Sequence, residues 1–218
     1  MIESLPRRAF LRFEIPIFHW DRAPHIAPSI RKWNSRYMLP PLVEVEGEQP
    51  FADVYAAWSA EWFFVAFDVP NRRAPLRCSP ETWWKGDGVR ICIATRDTRE
   101  TKRGNRFCHF FYVLPTGGGK KKKLPVIGTH KMSHAKETPP PVDVSQIRLA
   151  IDVAERGYSI EAAIPTTCLN GWDPTEHARI GFFYKVNDSE LGAQHLTATD
   201  ELGWNVDPST WATVVLAK

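Results

Sequence analysis

Hydrophobic and polar residues alternate with a period of two in three segments of the chain: 89–94, 147–153 and 158–164. Such alternation is typical of β-strands, in which successive side chains point to opposite faces of the sheet. Segments 61–68 and 107–114 are apolar at almost every position, which predicts interior strands covered on both faces. A first strand is expected within 11–17 and a last strand within 211–216.

Helical periodicity is weak, and glycine and proline divide the sequence into short segments. The chain has 18 prolines and 13 glycines in 218 residues, and Gly- and Pro-rich turns between short strands favour a sandwich or barrel. Short helical turns are predicted at 30–34 and 166–169. No internal repeat or domain boundary is visible, and a chain of this length can form one all-β domain. The sequence therefore predicts a single antiparallel β-sandwich domain over residues 1–218.

One long loop excursion is expected between Thr116 and Pro141. It begins with Gly117–Gly119 and continues with four lysines, Lys120–Lys123. Glycine disfavours order and adjacent like charges repel each other, so this segment is not expected to form a packed strand. The lysines are interpreted as a solvated loop tip, with contact to a phosphate or an anionic glycan as the alternative.

Composition and charge argue against several functional classes. The net charge of +3 is too small an excess for a nucleic-acid-binding surface, which needs clustered basic residues. No stretch approaches the roughly 18 apolar residues of a membrane span. We therefore expect neither nucleic acid nor a membrane as a partner. Arg12 and Glu14 interrupt the apolar residues near the N-terminus, so no signal peptide is predicted and the expected location is cytoplasmic.

Cysteine and polar motifs give no firm metal site. The four cysteines have no CxxC spacing, which argues against zinc. Cys92 and Cys108 fall on successive predicted strands, so a cross-strand disulfide stays open, but reduced thiols are favoured without a secretion signal. The polar stretch 186–190 contains Asn and Asp, which favour turns by bonding their own backbone; calcium is a weak suggestion here. No cofactor is expected.

Two tryptophan-bearing segments carry the most specific information. The first reads Trp-Trp-Lys-Gly-Asp-Gly-Val-Arg-Ile-Cys-Ile over 83–93, and the second reads Trp-Asn-Val-Asp-Pro-Ser over 204–209, directly before the last predicted strand. Together with 157–165 and 180–188, this ordered set resembles the family 9 carbohydrate-binding modules and the wider DOMON-like group of jelly-roll β-sandwiches.

The resemblance implies non-catalytic binding of a saccharide between two indole rings, those of Trp84 and Trp204. An indole suits this task because it covers the C–H groups on the flat face of a sugar, combining apolar burial with attraction to the π face. Both rings are expected to be exposed and to face each other. Trp84 and Arg90 have the parity opposite to Val89, so both are expected to point away from the core.

The polar residues around this clamp depart from the family pattern. Arg90 stands where the family commonly has an acidic residue, and Glu201 stands where it commonly has an amide. Arginine only donates hydrogen bonds, so the two changes predict either a repolarised sugar site or an Arg90–Glu201 salt bridge that closes it. An arginine fork also suits the carboxylate of an acidic sugar. Asn187 is a further residue expected to orient the sugar.

Two other functions stay open on the sequence. The Arg90 and Glu201 departures favour a scaffold sandwich that binds a protein partner and has lost sugar binding. A DOMON-like sandwich can also hold haem, and Met132 lies between His130 and His134, although no CxxCH attachment motif is present. No hydrolase, nucleotide-binding or metalloprotease motif appears, so the chain is not expected to be an enzyme.

Overall fold

The structure, a computed structural model, describes residues 6–21 and 32–218. Within these ranges the ordered elements are β-strands and short 3₁₀ turns, without an α-helix. The strands are β1 (Glu14–His19), β2 (Asp53–Trp58), β3 (Trp62–Pro70), β4 (Gly88–Ala94), β5 (Cys108–Gly118), β6 (Leu124–Thr129), β7 (Arg148–Ala154), β8 (Gly157–Pro165), β9 (Arg179–Asp188), β10 (Gly192–His195) and β11 (Ala212–Ala217). The all-β class predicted from the sequence is confirmed. No helix in the described part of the chain has the length and hydropathy of a membrane span.

The strands form one continuous sheet that folds into two packed layers. Their order is β6-β5-β4-β9-β11-β1-β2-β3-β8-β7, and β10 pairs with β9. Rings from the two layers meet in the core, where the centroids of Phe63 and Phe182 are 5.6 Å apart and those of Phe67 and Tyr184 are 5.9 Å apart. We call the layer formed by β6, β5, β4, β9 and β10 the site layer.

Most strand pairs are antiparallel, as predicted, but β1 is parallel to both of its neighbours. Strand β11 pairs with β9 of the site layer. Because β1 lies between β11 and β2, its two parallel pairings join the site layer to the layer of β2, β3, β8 and β7. The alternating segments 89–94 and 158–164 correspond to β4 and β8, and the apolar segments 61–68 and 107–114 correspond to β3 and β5. Strand β4 is buried on both faces, whereas its alternation predicts burial on one face.

The expected loop excursion after Thr116 is only partly a loop. Strand β5 continues to Gly118 and the chain returns as β6, so the lysines occupy the turn of a hairpin. Gly117 and Gly119 have φ angles of 107° and 68°, which glycine adopts without the steric penalty of a Cβ atom. The prediction of an unpaired segment is therefore wrong for the hairpin strands. The four lysines are exposed at its tip, as expected.

The predictions of short helical turns and of a possible Cys92–Cys108 disulfide have different outcomes. The turn expected at 166–169 is the 3₁₀ turn Thr166–Cys168, whereas the one expected at 30–34 lies partly outside the described residues. All four cysteines are free. The register pairs Cys92 with Phe110 and not with Cys108, so these two thiols are not opposite each other on the β4–β5 pair.

A buried arginine links the two regions that carry the sequence motifs. Arg72 Nε donates to Asp188 Oδ2 at 2.8 Å, and Arg72 Nη2 donates to Asp87 Oδ2 at 2.7 Å. Both carboxylates are inaccessible to solvent, and they also accept backbone N–H groups, Asp87 from Ser189 and Asp188 from Glu190. Asp188 thus uses its oxygens in a turn and an ion pair, which agrees with the turn interpretation of this polar stretch.

His109 should make the protein less stable in acid. Its ring is buried; Nε2 accepts a hydrogen bond from the backbone N–H of Asn170 at 2.9 Å, and Nδ1 has no partner within the described chain. Burial lowers the pKa of His109 to about 4, so protonation favours the unfolded chain. The stability contributed by the neutral ring is complete above about pH 6.5 and is lost as the pH falls towards 4, at about 1.4 kcal/mol per pH unit.

Urea unfolding at several pH values measures this slope, with His109→Gln as the control. The glutamine amide oxygen can accept from Asn170 and does not titrate, so we expect a flatter pH dependence in the variant. Burial also lowers the pKa of His130 and His195, but these residues are present in both proteins. Equal slopes in wild type and variant would show that His109 is not the source of the acid sensitivity.

Candidate functional site

The face of the site layer opposite the core residues of β4 carries a row of polar and aromatic residues. The registers pair Arg90 with Tyr112 and with Lys185, Tyr112 with Gly128, and Lys185 with His195. Directly paired residues point to the same face of a sheet, so this row crosses five strands. We call it the floor of the candidate site.

Aromatic rings cover one half of the floor. The indole of Trp83 stacks on Tyr112 with 4.4 Å between centroids and 11° between planes, and the His130 ring lies 5.0 Å from the indole. Gly128 leaves room for this stack, because a Cβ atom there would approach the Tyr112 ring to 2.4 Å. Trp84 meets Trp83 edge-on at 5.9 Å and is 53% exposed. Trp84 is thus an exposed ring, as expected, although it lies in a loop and not on a strand.

Trp204 does not stand free, and the prediction of two facing exposed indoles is wrong. Its ring stacks on Phe183 at 4.7 Å and lies 5.5 Å from Phe110, and the residue is only 5% exposed. Its Nε1 donates to Asp200 Oδ1 at 2.8 Å. The cause is local, because the 3₁₀ turn that begins at Asp200 ends at the left-handed Gly203 (φ 65°), and the reversal lays the following indole on the apolar part of the sheet.

Asp200 neutralises the other half of the floor. Lys185 Nζ donates to Asp200 Oδ2 at 2.5 Å, and His195 Nε2 lies 3.4 Å from Asp200 Oδ1. The hydrogen bond with His195, followed by those from Lys185 and Trp204, lowers the pKa of Asp200, whereas burial lowers the pKa of His195. At neutral pH the ionised Asp200 therefore pairs with the ammonium group of Lys185 and accepts a hydrogen bond from an uncharged imidazole.

Arg90 lies on the predicted face, but the chain covers it. The residue is 2% exposed, and its Nη2 donates to the carbonyl oxygens of Trp83 and, at 3.3 Å, of Gly86. The guanidinium carbon lies 5.6 Å from the Trp83 ring, and Nη1 is buried without a partner in the described chain. Burial lowers the pKa of Arg90 to about 10. The expectation that Arg90 faces a ligand directly is wrong, because residues 83–86 pass over it.

Glu201 and Asn187 do not join Arg90 around a common ligand position. Glu201 is exposed and lines a cleft of about 950 Å³ that also includes His195 and Asp200 at the β10 end of the floor, and no ion pair joins it to Arg90 within the described residues. Asn187 Nδ2 donates to the carbonyl oxygen of Gly86 at 2.9 Å. Asn187 and Arg90 therefore hold the turn that carries Trp84. Of the two alternatives for Arg90 and Glu201, the closing salt bridge does not form among the described residues.

The sequence alone does not point to Trp83, Tyr112 and His130 as site residues. The one sequence feature that marks Trp83 is the Trp-Trp doublet. Tyr112 and His130 lie beside Trp83 because of the register between β5 and β6, and no local sequence pattern predicts that register. Met132, the methionine of the haem alternative, is buried in the core beside Gly104. Among the residues that the structure describes, no group of three or more His, Cys, Asp or Glu is placed to hold a metal ion.

The fold recurs in solved structures. A family 9 carbohydrate-binding module from Caldicellulosiruptor kristjanssonii in complex with cellotriose is similar, with a TM-score of 0.63, 15% identity and coverage of 94% of both chains. The complex with glucose gives a TM-score of 0.65 and 16% identity, and the match covers 94% of this chain and 97% of that chain. At these identities the likeness shows the fold alone.

The sequence shows the family more directly. No curated protein matches the chain. The family model described as carbohydrate family 9 binding domain-like matches residues 33–218. This range includes every strand of the site layer and both tryptophan-bearing segments. The chain therefore belongs to the carbohydrate family 9 binding domain-like family.

Proposed function

We propose that the chain is a non-catalytic module that binds a saccharide on the exposed ring of Trp84. The observation that carries this proposal is a large indole that is 53% exposed above a packed aromatic base. The Trp84 ring continues the aromatic surface formed by Trp83, Tyr112 and His130, and a contiguous exposed apolar surface is typical of a binding site. The family, and the cellotriose and glucose bound by the similar module, support a sugar as the ligand.

The turn that presents Trp84 is held in place before any ligand binds. Arg90 and Asn187 donate to the carbonyl oxygen of Gly86. Asp87 donates its backbone N–H to the carbonyl oxygen of Arg77 at 2.9 Å and accepts the N–H of Arg77 at 2.6 Å. A turn that is already fixed loses little conformational entropy when a ligand stacks on the ring that it presents.

Polar groups beside the aromatic base can orient a sugar. The Tyr112 hydroxyl and the His130 ring lie next to Trp83 and make no hydrogen bond within the described chain. Because burial lowers the pKa of His130, its neutral imidazole offers one donor and one acceptor to sugar hydroxyls. In this proposal the sugar stacks on one indole, and Trp204 lies against Phe183 and Phe110 on the same face of the site layer instead of forming a second wall.

Trp84→Ala tests the proposal. We expect the dissociation constant for the bound saccharide to rise by at least about tenfold, the equivalent of 1.4 kcal/mol, because the stacking surface is lost. The free energy of unfolding should change by less than about 0.5 kcal/mol, as for other exposed positions. Titration calorimetry with cellotriose, glucose and a panel of other oligosaccharides measures the first quantity, and urea unfolding measures the second.

Phe10→Ala is the matched control, because it removes an aromatic ring that is 71% exposed in the 3₁₀ turn Arg7–Phe10, outside the floor. This variant should bind sugar as the wild type does. Unchanged affinity in Trp84→Ala would contradict the proposed site. Failure of the wild type to bind any saccharide in the panel would contradict the proposed function itself.

A further inference from the structure

Strand β7 lies at one end of the sheet order, and its outer edge has no partner strand among the described residues. It pairs with β8 on one side, and no backbone hydrogen bond within the described chain joins its other side to a loop. The strand at the other end of the order, β6, contains Pro125 and Gly128, two residue types that disfavour pairing at an edge. The seven residues of β7 include neither type, so its edge is open to another strand.

Every second residue of β7 directs its backbone groups to this open edge. Ala154 and Gly157 form the pair that closes the β7–β8 hairpin. On the other side of β8, Gly157 is opposite Pro70, which has no N–H group, so Gly157 directs its backbone hydrogen bonds to Ala154. Residues that bond to one neighbour alternate with residues that point away from it along an antiparallel strand. Counted back from Ala154, the residues whose N–H and C=O groups point outwards are Leu149, Ile151 and Val153.

The side chains of β7 are incompletely covered at the same edge. On the face that packs on the core, Leu149 and Ile151 are half-buried and Val153 is 50% exposed. On the opposite face, Arg148 and Asp152 are exposed. A strand added at this edge therefore covers apolar side chains on one face of the sheet and meets two opposite charges on the other face.

The charges of β7 are complementary to those of a second copy of the same strand. When two β7 strands run antiparallel with their Ala150 residues opposite each other, Arg148 of each copy is opposite Asp152 of the other. The same register pairs Leu149 of each copy with Ile151 of the other, and both of these residues direct their backbone groups outwards, as hydrogen-bonded pairs require. Opposite charges directly across an antiparallel pair stabilise it. A shift of two residues in either direction removes both charge pairs.

We propose that the outer edge of β7 is a homodimer interface, in which two copies of the chain pair antiparallel about Ala150 and extend one layer of the sandwich across a twofold axis. In strand addition, main-chain hydrogen bonds give affinity and side chains give specificity. The twofold axis makes each charge pair occur twice. Arg148 and Asp152 also oppose a strand that lacks matching charges, which favours a second copy over an unrelated segment. This inference does not depend on the proposed function.

The first experiment measures the mass of the wild-type protein by sedimentation equilibrium between about 1 and 500 µM. A single pair of short strands buries a modest area, so we expect reversible association with a dissociation constant of about 1–100 µM. At the upper concentrations the mass should approach twice the 24.9 kDa of one chain. A wild type that keeps the mass of one chain over the whole range overturns the proposal.

Charge variants then test the register. Arg148→Glu puts a carboxylate opposite Asp152, and Asp152→Arg puts a guanidinium opposite Arg148, so in each variant two attractive pairs become repulsive. The dissociation constant of each variant should rise by at least about tenfold. An equimolar mixture of the two variants should form a heterodimer about as tightly as the wild type dimerises, because each variant carries the charges that the other needs. The matched control is Lys102→Glu, at an exposed lysine beside Ser209, which should dimerise as the wild type does.

Amide hydrogen exchange, followed by NMR, reads the interface directly. The outward N–H groups of Leu149 and Ile151 should exchange more slowly above the dissociation constant than below it, because they gain partners in the dimer. The N–H group of Ala150 points to β8 and should be protected at both concentrations, which makes it the internal control. Arg148 lies over the Trp62 ring, with 5.4 Å between the guanidinium carbon and the ring centroid. Recovery of dimers in the mixture therefore also shows that Arg148→Glu is folded.

The outcomes distinguish this interface from other modes of association. Loss of the dimer in both single variants and its recovery in their mixture support the antiparallel pairing about Ala150. Unchanged dissociation constants in Arg148→Glu and Asp152→Arg overturn it, and so does a mixture that stays monomeric. A dimer in which the amides of Leu149 and Ile151 exchange as fast as in the monomer uses another surface and overturns the proposal as well.

Discussion

Replacing Trp204 by alanine is expected to lower the free energy of unfolding by about 3–5 kcal/mol, as other truncations of buried aromatic residues do. The indole is almost fully buried, stacks on Phe183 and donates to Asp200. Its backbone carbonyl accepts the Nε1 hydrogen of Trp211 at 2.8 Å. Truncation leaves a cavity above Phe183 and takes one hydrogen bond from Asp200. Urea unfolding at neutral pH measures the loss.

Trp204→Phe separates the ring from its N–H group. Phenylalanine keeps much of the contact with Phe183 and loses only the bond to Asp200, so the cost should fall to about 1–2 kcal/mol. Trp84→Ala provides the comparison at an exposed indole, where little stability is at stake. If Trp204→Ala unfolded at the same urea concentration as the wild type, Trp204 would not belong to the core, and the clamp of two indoles would be the better description of the site.

The contrast between the two tryptophans shows what the sequence can predict about this site. Both lie in motifs that resemble the same family, and both follow loop residues in which strand parity does not determine the direction of a side chain. Trp84 is exposed because the turn before β4 projects it from Trp83, whereas Trp204 is buried because the reversal at Gly203 returns the chain to the sheet. Motif matching identifies the two tryptophans, but whether each indole is exposed or buried depends on the three-dimensional course of the neighbouring turn.

The fold can be predicted from the sequence better than the site can, because alternation of apolar and polar residues directly indicates β-strands. The parity of β4 and β8 is correct, and the face on which Arg90 lies is the predicted one. The parity of a strand residue predicts the face of the sheet on which its side chain lies, but not which other part of the chain covers that face. Trp83 and the turn after it cover Arg90, and this arrangement depends on the Arg90, Asn187 and Gly86 hydrogen bonds, which join residues up to 101 positions apart. Such long-range contacts have no local sequence signature.

For the β5–β6 hairpin, the local amino-acid composition gives the wrong secondary-structure prediction. Glycine and like charges disfavour a strand on average. In the structure, however, the glycines allow the turn and the charges stay in solvent, while Val126 and Ile127 pair with Leu114 and Val113 of β5. The lysines are therefore displayed on an ordered hairpin and not on a loose loop.

Arg72→Met is the second substitution with a large expected effect, about 3–5 kcal/mol of lost stability. Removing one partner of a buried ion pair leaves an uncompensated charge, and here both Asp87 and Asp188 lose their cation. Methionine keeps a similar length of apolar side chain, so the cavity it leaves is small. Arg73→Met removes a charge from the exposed neighbour and should cost less than about 0.5 kcal/mol. Urea unfolding of both variants measures the difference.

The combined variant Arg72→Met/Asp87→Asn/Asp188→Asn distinguishes charge from hydrogen bonding. It contains no buried charge at this position, and the asparagine oxygens can still accept the backbone N–H groups of Ser189 and Glu190, so it should be more stable than Arg72→Met alone. A triple variant less stable than Arg72→Met would mean that the carboxylates stabilise the turns through the backbone N–H groups they accept more than their unpaired charge destabilises the fold. Asp87 lies in the turn that carries Trp84, and Asp188 ends the strand that contains Asn187. In the absence of urea, where the variant is folded, Arg72→Met should therefore also weaken sugar binding. The reason is that Asp87 and the strand end at Asp188, which both support the turn, shift when Arg72 is removed.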